Sequence, residues 1–127
     1  MALVPKVFVQ NVTFSGSGLL SNTVTALNLT SQSGVLVGVA IGPRRLEGGS
    51  KRTFYHTLTL VIDGNTVFSI NTPEGIEALA SLFGDGVGSR LLFRLPFSNS
   101  ISLSAQVRRE DTTISSASIA VLVLVNE

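Results

Sequence analysis

The sequence predicts an all-β protein: a single jelly-roll β-sandwich of about eight antiparallel strands, with one short helix at about residues 73–83. Three observations carry that prediction. Apolar and polar residues alternate with a period of two through several runs, the spacing at which strand side chains share a face. Turn-forming Gly, Asn and Ser clusters punctuate those runs. The chain has 127 residues, of which 44% are hydrophobic and only 13% charged, against about a quarter charged in an ordinary soluble domain. That length predicts one domain over residues 1–127, with residues 1–20 able to form an extended N-terminal segment.

The elements follow in order. Residues 4–14 and 23–30 are rich in β-formers and are separated by Ser15-Gly16-Ser17-Gly18, a turn composition. Val24 and Ala26 share one parity while Leu27 and Leu29 share the other, which predicts a bulge near Ala26. Val35, Val37, Val39 and Ile41 then read as one strand face, with Leu36, Gly38 and Ala40 behind it and neither face wet. Phe54, His56, Leu58, Leu60 and Ile62 alternate with Thr53, Tyr55, Thr57, Thr59 and Val61, and Asp63-Gly64-Asn65 turns that strand back into residues 66–70 as a hairpin.

Thr72 can cap a helix, Pro73 suits its first position, and Glu74 and Glu77 complement its positive end. Ile76, Leu79, Ala80 and Phe83 make its apolar stripe, and Gly84 ends it. Leu91, Phe93, Leu95 and Phe97 form one face of the next strand, opposite Arg90, Leu92, Arg94 and Pro96. The proline marks an edge or a strand end. Ile101, Leu103, Ala105 and Val107 alternate with Ser102, Ser104, Gln106 and Arg108, the cleanest one-sided pattern in the chain. The last strand, residues 116–125, ends apolar on both faces and so needs cover twice.

Composition narrows the chemistry. Nine Lys and Arg against eight Asp and Glu leave a net charge of +1, too little to draw a polyanion, so nucleic acid is not an expected partner. Without Cys and with one His, thiol catalysis, disulfides and the common zinc sites are out of reach, and no metal or cofactor is expected. Asp63, Asp85 and Asp111 lie in separate turns without the spacing of a calcium loop, and Asp63 reads as a turn residue. The most apolar segments, residues 35–41 and 119–125, are far shorter than the roughly 20 residues of a spanning helix, and the first six residues do not read as an export signal. The chain is therefore expected to be soluble. Asn11 and Asn28 begin glycosylation tripeptides, to which no weight attaches.

No catalytic set emerges either. His56 has Phe54 and Leu58 as same-face neighbours and no nucleophile or acid at a motif spacing, so it reads as a histidine partly buried in the core or at a subunit contact, and the protein is expected not to be an enzyme. Residues 84–89, Gly-Asp-Gly-Val-Gly-Ser, look like a phosphate loop, but they follow a helix and open a strand, the reverse of what anion binding at a helix N-terminus requires. Arg44, Arg45, Lys51 and Arg52 around the Gly-rich loop of residues 42–50 are the candidate partner-contact residues, and Arg108 with Arg109 makes a smaller cluster. A sugar site would want aromatic platforms, and the chain has no Trp and one Tyr, Tyr55. The surplus of apolar strand faces is the stronger signal. It predicts a homo-oligomer whose subunit contact involves Val35, Val37, Val39 and Ile41 or Ile119, Val121, Val123 and Val125.

Two segments carry a resemblance: Leu58-Thr59-Leu60-Val61-Ile62-Asp63-Gly64-Asn65, a strand entering a tight hairpin, and Leu95-Pro96-Phe97-Ser98-Asn99-Ser100-Ile101, a strand-turn-strand with Pro-Phe before the turn. With the strand count, the chain resembles the small single jelly-roll virion proteins of tailed bacteriophages, meaning capsid decoration or cement proteins and related neck and tail components. The likeness covers most of residues 50–125. It implies a non-enzymatic structural protein, made in the host cytoplasm, that assembles as a symmetric oligomer, often a trimer, on or between subunits of a major capsid protein. The alternative is a receptor- or glycan-binding module at a virion tip that uses residues 42–50 and 84–89.

Overall fold

Runs of β-branched and aromatic residues become eight strands: β1 (Leu3–Thr13), β2 (Ser21–Thr30), β3 (Gly34–Gly42), β4 (Thr53–Ile62), β5 (Asn65–Ile70), β6 (Arg90–Phe97), β7 (Ser100–Arg109) and β8 (Ser116–Asn126). One helix, α1 (Pro73–Leu82), lies between β5 and β6. The computed structural model describes residues 2–14, 21–42, 53–82, 90–109 and 115–127. The strands form two antiparallel sheets, ordered β1-β8-β3-β6 and β2-β7-β4-β5. Strand 1 pairs with 8, 2 with 7, 3 with 6 and 4 with 5, as in one long hairpin rolled up on itself; the 3–8 and 4–7 pairings close the roll. This is the jelly roll that the alternation predicts.

The core lies between the sheets. Ile101, Leu103, Ala105 and Val107 of β7 face Leu36, Val39, Ile119, Val121 and Val123 across the gap, all of them buried. Leu91, Phe93 and Phe97 of β6 are buried as their spacing predicts, and Leu95 packs against the core from a half-buried position. Each such aliphatic or aromatic side chain contributes about 1.5–3 kcal/mol when taken from water. α1 packs against β4 and β6. Thr72 Oγ1 accepts the Gly75 N–H at 3.1 Å, so the cap is as expected; Ile76 reaches the core at 1% exposure and Leu79 packs against it, while Phe83, the last residue of the expected stripe, and Gly84 lie outside the described residues.

Bulges decide which residues face inward. The β2 register shifts between Thr25 and Leu27, which places a bulge at Ala26 where the broken parity predicts one. Two further bulges correct the sequence reading. In β3 the register shifts between Leu36 and Gly38, so Val35 and Val37 do not share a face with Val39 and Ile41. In β4 it shifts between Tyr55 and Thr57, so His56 is the extra residue and Tyr55, not His56, shares the core face with Leu58, Leu60 and Ile62. Both corrections have one physical cause: a single inserted residue reverses every later side chain along the strand.

One end of the sandwich is made of short turns, and Asp63 ties them together. Asp63 and Gly64 both have positive φ, 50° and 82°, which gives the two-residue hairpin turn whose twist matches its strands. The Asp63 carboxylate accepts backbone N–H groups from Ser98, Asn99 and Ser100 in the β6–β7 turn, at 2.7–3.1 Å. Its own N–H donates to the Ser100 carbonyl at 2.9 Å. The N–H groups of Ser100, Ser98 and Asn99 hold this carboxyl below its ordinary value of 3.8, while burial acts weakly the other way. More than a turn residue, Asp63 is a clamp between two hairpins.

That clamp makes stability pH-dependent. Asp63→Asn keeps a residue that tolerates positive φ, removes the charge and replaces one of the two accepting oxygens by an NH2 donor. Its thermal midpoint should lie below that of the native chain near neutral pH. Because the folded carboxyl titrates below the unfolded one, the stabilisation is complete above 3.8 and is lost as pH falls through the lower folded value. Thermal scans should therefore converge in strong acid, and equal midpoints at neutral pH would contradict the clamp.

Candidate functional site

β8 is the strand that makes the site. Its sequence is apolar at both parities, so whichever face turns inward the other is left to be covered. In the structure Ile119, Val121, Val123 and Val125 point inward, at 0–1% exposure, together with Val39 and Ile41 of β3. This corrects the expected subunit contact. Those six residues are buried within one chain and present nothing to a partner, whereas Val35 and Val37 remain half-exposed on the other side of the sheet.

The register shows what joins them there. Pro5, Leu124, Val35 and Pro96 form one row across the outer face; Val7, Leu122, Gly38 and Leu92 form the next; Val9, Ala120 and Ala40 form the third, which Arg90 ends on β6. Val7, Val9, Leu3 and Leu92 are 64%, 55%, 48% and 46% exposed. The outward positions of β1, β8 and β3 include no charged residue, and the exposed cation Arg94 lies on the edge strand β6. Asn11, Thr13, Ser116 and Ser118 continue the face beyond Val9 as an uncharged polar rim.

The face is not flat. Gly38 has no side chain, and over it lies an open depression of about 210 Å³ walled by Val7, Val37, Leu92 and Leu122, with apolar residues throughout its lining. The opposite outer face is a chemical contrast. There Thr23 and Thr25, Ser102, Ser104 and Gln106, and Thr57 and Thr59 stand in cross-strand rows. Part of their hydrogen-bonding capacity is used internally: Thr59 and Ser69 hydroxyls lie 3.0 Å apart, and the Gln106 N–H donates to Thr57 Oγ1 at 3.0 Å. One face can satisfy water and the other cannot.

The other predicted site residues fall as follows. Arg44, Arg45, Lys51 and Arg52, residues 84–89, Asp85 and Asp111 lie outside the described residues. Arg108 and Arg109 do not form a surface cluster: Arg109 is 3% exposed, with its guanidinium 5.6 Å from the Phe14 ring centroid, while Arg108 points outward. Tyr55 is buried at 1% exposure and is no sugar platform. His56 sits at the β4 bulge with a buried Nδ1 that has no hydrogen-bond partner among the described residues. Among those residues no three of His, Cys, Asp or Glu come together to hold a metal, and no helix is long and apolar enough to cross a membrane.

The outward residues that sequence reasoning missed are Val7, Val9 and Leu92, which are exposed, and Leu122 and Leu124, which are half-buried. For Val7 and Val9 the signal was available, since both share one parity of β1 with Leu3 and Pro5. No family model matches this chain and no curated protein matches it. Fold and surface chemistry carry the functional reading.

Proposed function

We propose that this chain is a non-enzymatic structural jelly roll that associates with copies of itself and serves as an accessory virion component, decorating or stabilising a capsid or a related phage assembly. The observation that supports self-association is the apolar outer face of β1, β8 and β3, whose outward positions carry no charge. The largest apolar patch on a protein's surface is often functional, and each exposed apolar Å² costs about 25 cal/mol relative to burial. The virion setting rests on the likeness of the Leu58–Asn65 and Leu95–Ile101 segments to the phage jelly rolls, together with the jelly-roll strand order.

Light scattering on the purified chain at micromolar concentration tests the first part. The expected mass is a multiple of the single chain; one chain at every concentration would overturn the reading. For the virion setting, the neighbouring reading frames should encode a major capsid protein or other particle components. A neighbourhood of metabolic enzymes would count against it.

A further inference from the structure

We infer that the apolar face is a two-fold self-contact, in which a second copy lays its own β1-β8-β3-β6 face against this one to give a stack of four sheets. The inference rests on the self-association reading and adds its surface and symmetry. Four features of the molecule lead to it.

Strand addition at the sheet edges is disfavoured. The edge strands are β1, β6, β2 and β5. β1 carries Pro5, and its Lys6 is paired to Glu127. β6 carries Pro96 and Arg94; β2 is bulged at Ala26; β5 is six residues long and bulged at Val67. Prolines, charges, bulges and short strands are the devices that keep edges from pairing with another chain. With these devices on each edge strand, a face is the favoured surface for association.

The apolar face is also compatible with itself. An isologous contact sets one patch against its own copy, so any charge near the axis would meet its like. The outward positions of β1, β8 and β3 contain none. Protrusions and a recess lie on the same patch: Val7 and Val9 stand out, and the depression over Gly38 takes about 210 Å³. A cavity of ~150 Å³ accepts a benzene ring, so this recess can hold an aliphatic side chain from the facing copy.

The extent suffices. The three uncharged strands at ~4.8 Å spacing and the rise of ~3.3 Å per residue along β1 give an apolar panel of ~300 Å² and, with its polar rim, ~500 Å² per copy. Two copies would cover ~1,000 Å², the threshold for a specific interface, in the usual pattern of apolar centre and polar rim. A three-fold ring, which the phage resemblance implies, would need this panel to meet a different patch on the next copy. The other sheet face offers hydroxyls, which an apolar partner would leave unpaired.

Sedimentation equilibrium of the full chain tests this, beside three variants. Leu122→Asp and Val7→Lys place a charge on the panel, and Ser104→Asp places one on the hydroxylated face. Val7 is 64% exposed on an edge strand, so its variant should fold even if Leu122→Asp does not. The expected results are an even number of copies for the native chain and Ser104→Asp, and at least tenfold weaker association for both panel variants. A native mass of three copies overturns the two-fold symmetry and leaves self-association standing. Oligomers unaffected by both panel charges overturn the surface, again leaving self-association standing, and a single-copy native mass overturns both.

Discussion

Val121→Asp should abolish cooperative folding of this protein or come close to it. Val121 is 0% exposed at the centre of β8, with Val39 beside it on β3 and Phe8 on β1. A carboxylate there finds no cation and no donor among its cross-strand neighbours, and an uncompensated buried charge costs about 3–5 kcal/mol. Small domains are stable by only about 5–15 kcal/mol, so little would remain. Urea unfolding followed by far-UV circular dichroism is the measurement; a native-like midpoint would show that the inward face of β8 is misplaced. Val123 is a less stringent position, because its partner across β1 is Lys6, which could meet the new charge. The adjacent Leu122→Asp should do the opposite of Val121→Asp, leaving the fold intact while it breaks association. A shift of one residue along a strand changes which side of the sheet is struck.

The second large effect is expected at Gly34. This residue opens β3 and pairs with Phe97 on one side and Val125 on the other. A Cβ built there would stand 2.0 Å from the Leu124 carbonyl oxygen and 3.0 Å from Phe97 Cζ. The first obstacle is backbone in a neighbouring strand, which cannot turn aside as a side chain would. Overpacking of a core usually costs about 1–3 kcal/mol, and Gly34→Val should exceed that range because it must part the β3–β8 ladder. At Gly42, at the far end of the same strand, no described residue would lie within 4 Å of an added Cβ, so Gly42→Ala is the matched control. Thermal unfolding of the two variants should show a large drop for Gly34→Val and little change for Gly42→Ala. Equal midpoints would mean that β3 and β8 are not packed this closely.

Much of this architecture could be read from residue order. The polar and apolar alternation of β7 has one meaning, and the broken parity around Ala26 exposed its bulge because polar residues flanked the break. In β3 the same device was hidden. From Val35 to Ile41 every residue is apolar or Gly, so an inserted residue leaves no mark in the pattern, and the reversal at Val37 could be found only from the ladder. The same ambiguity misassigned β8: the chain showed two oily faces there but not which one the sandwich would claim. Asp63 eluded the sequence for another reason. Its acceptor role depends on Ser98, Asn99 and Ser100, which no local spacing connects to it.

Small-angle X-ray scattering at micromolar concentration puts the central claim, that the panel around Leu122 is covered by a second copy, to its most direct test. A solitary domain of this length should have a radius of gyration of ~14 Å. Stacking two sandwiches through that face puts their centres two sheet spacings apart, ~20 Å, and raises the radius to ~17 Å. The account expects the larger value, falling to the smaller one in Leu122→Asp. A native radius of ~14 Å, or an end-to-end particle well above ~17 Å, would contradict it.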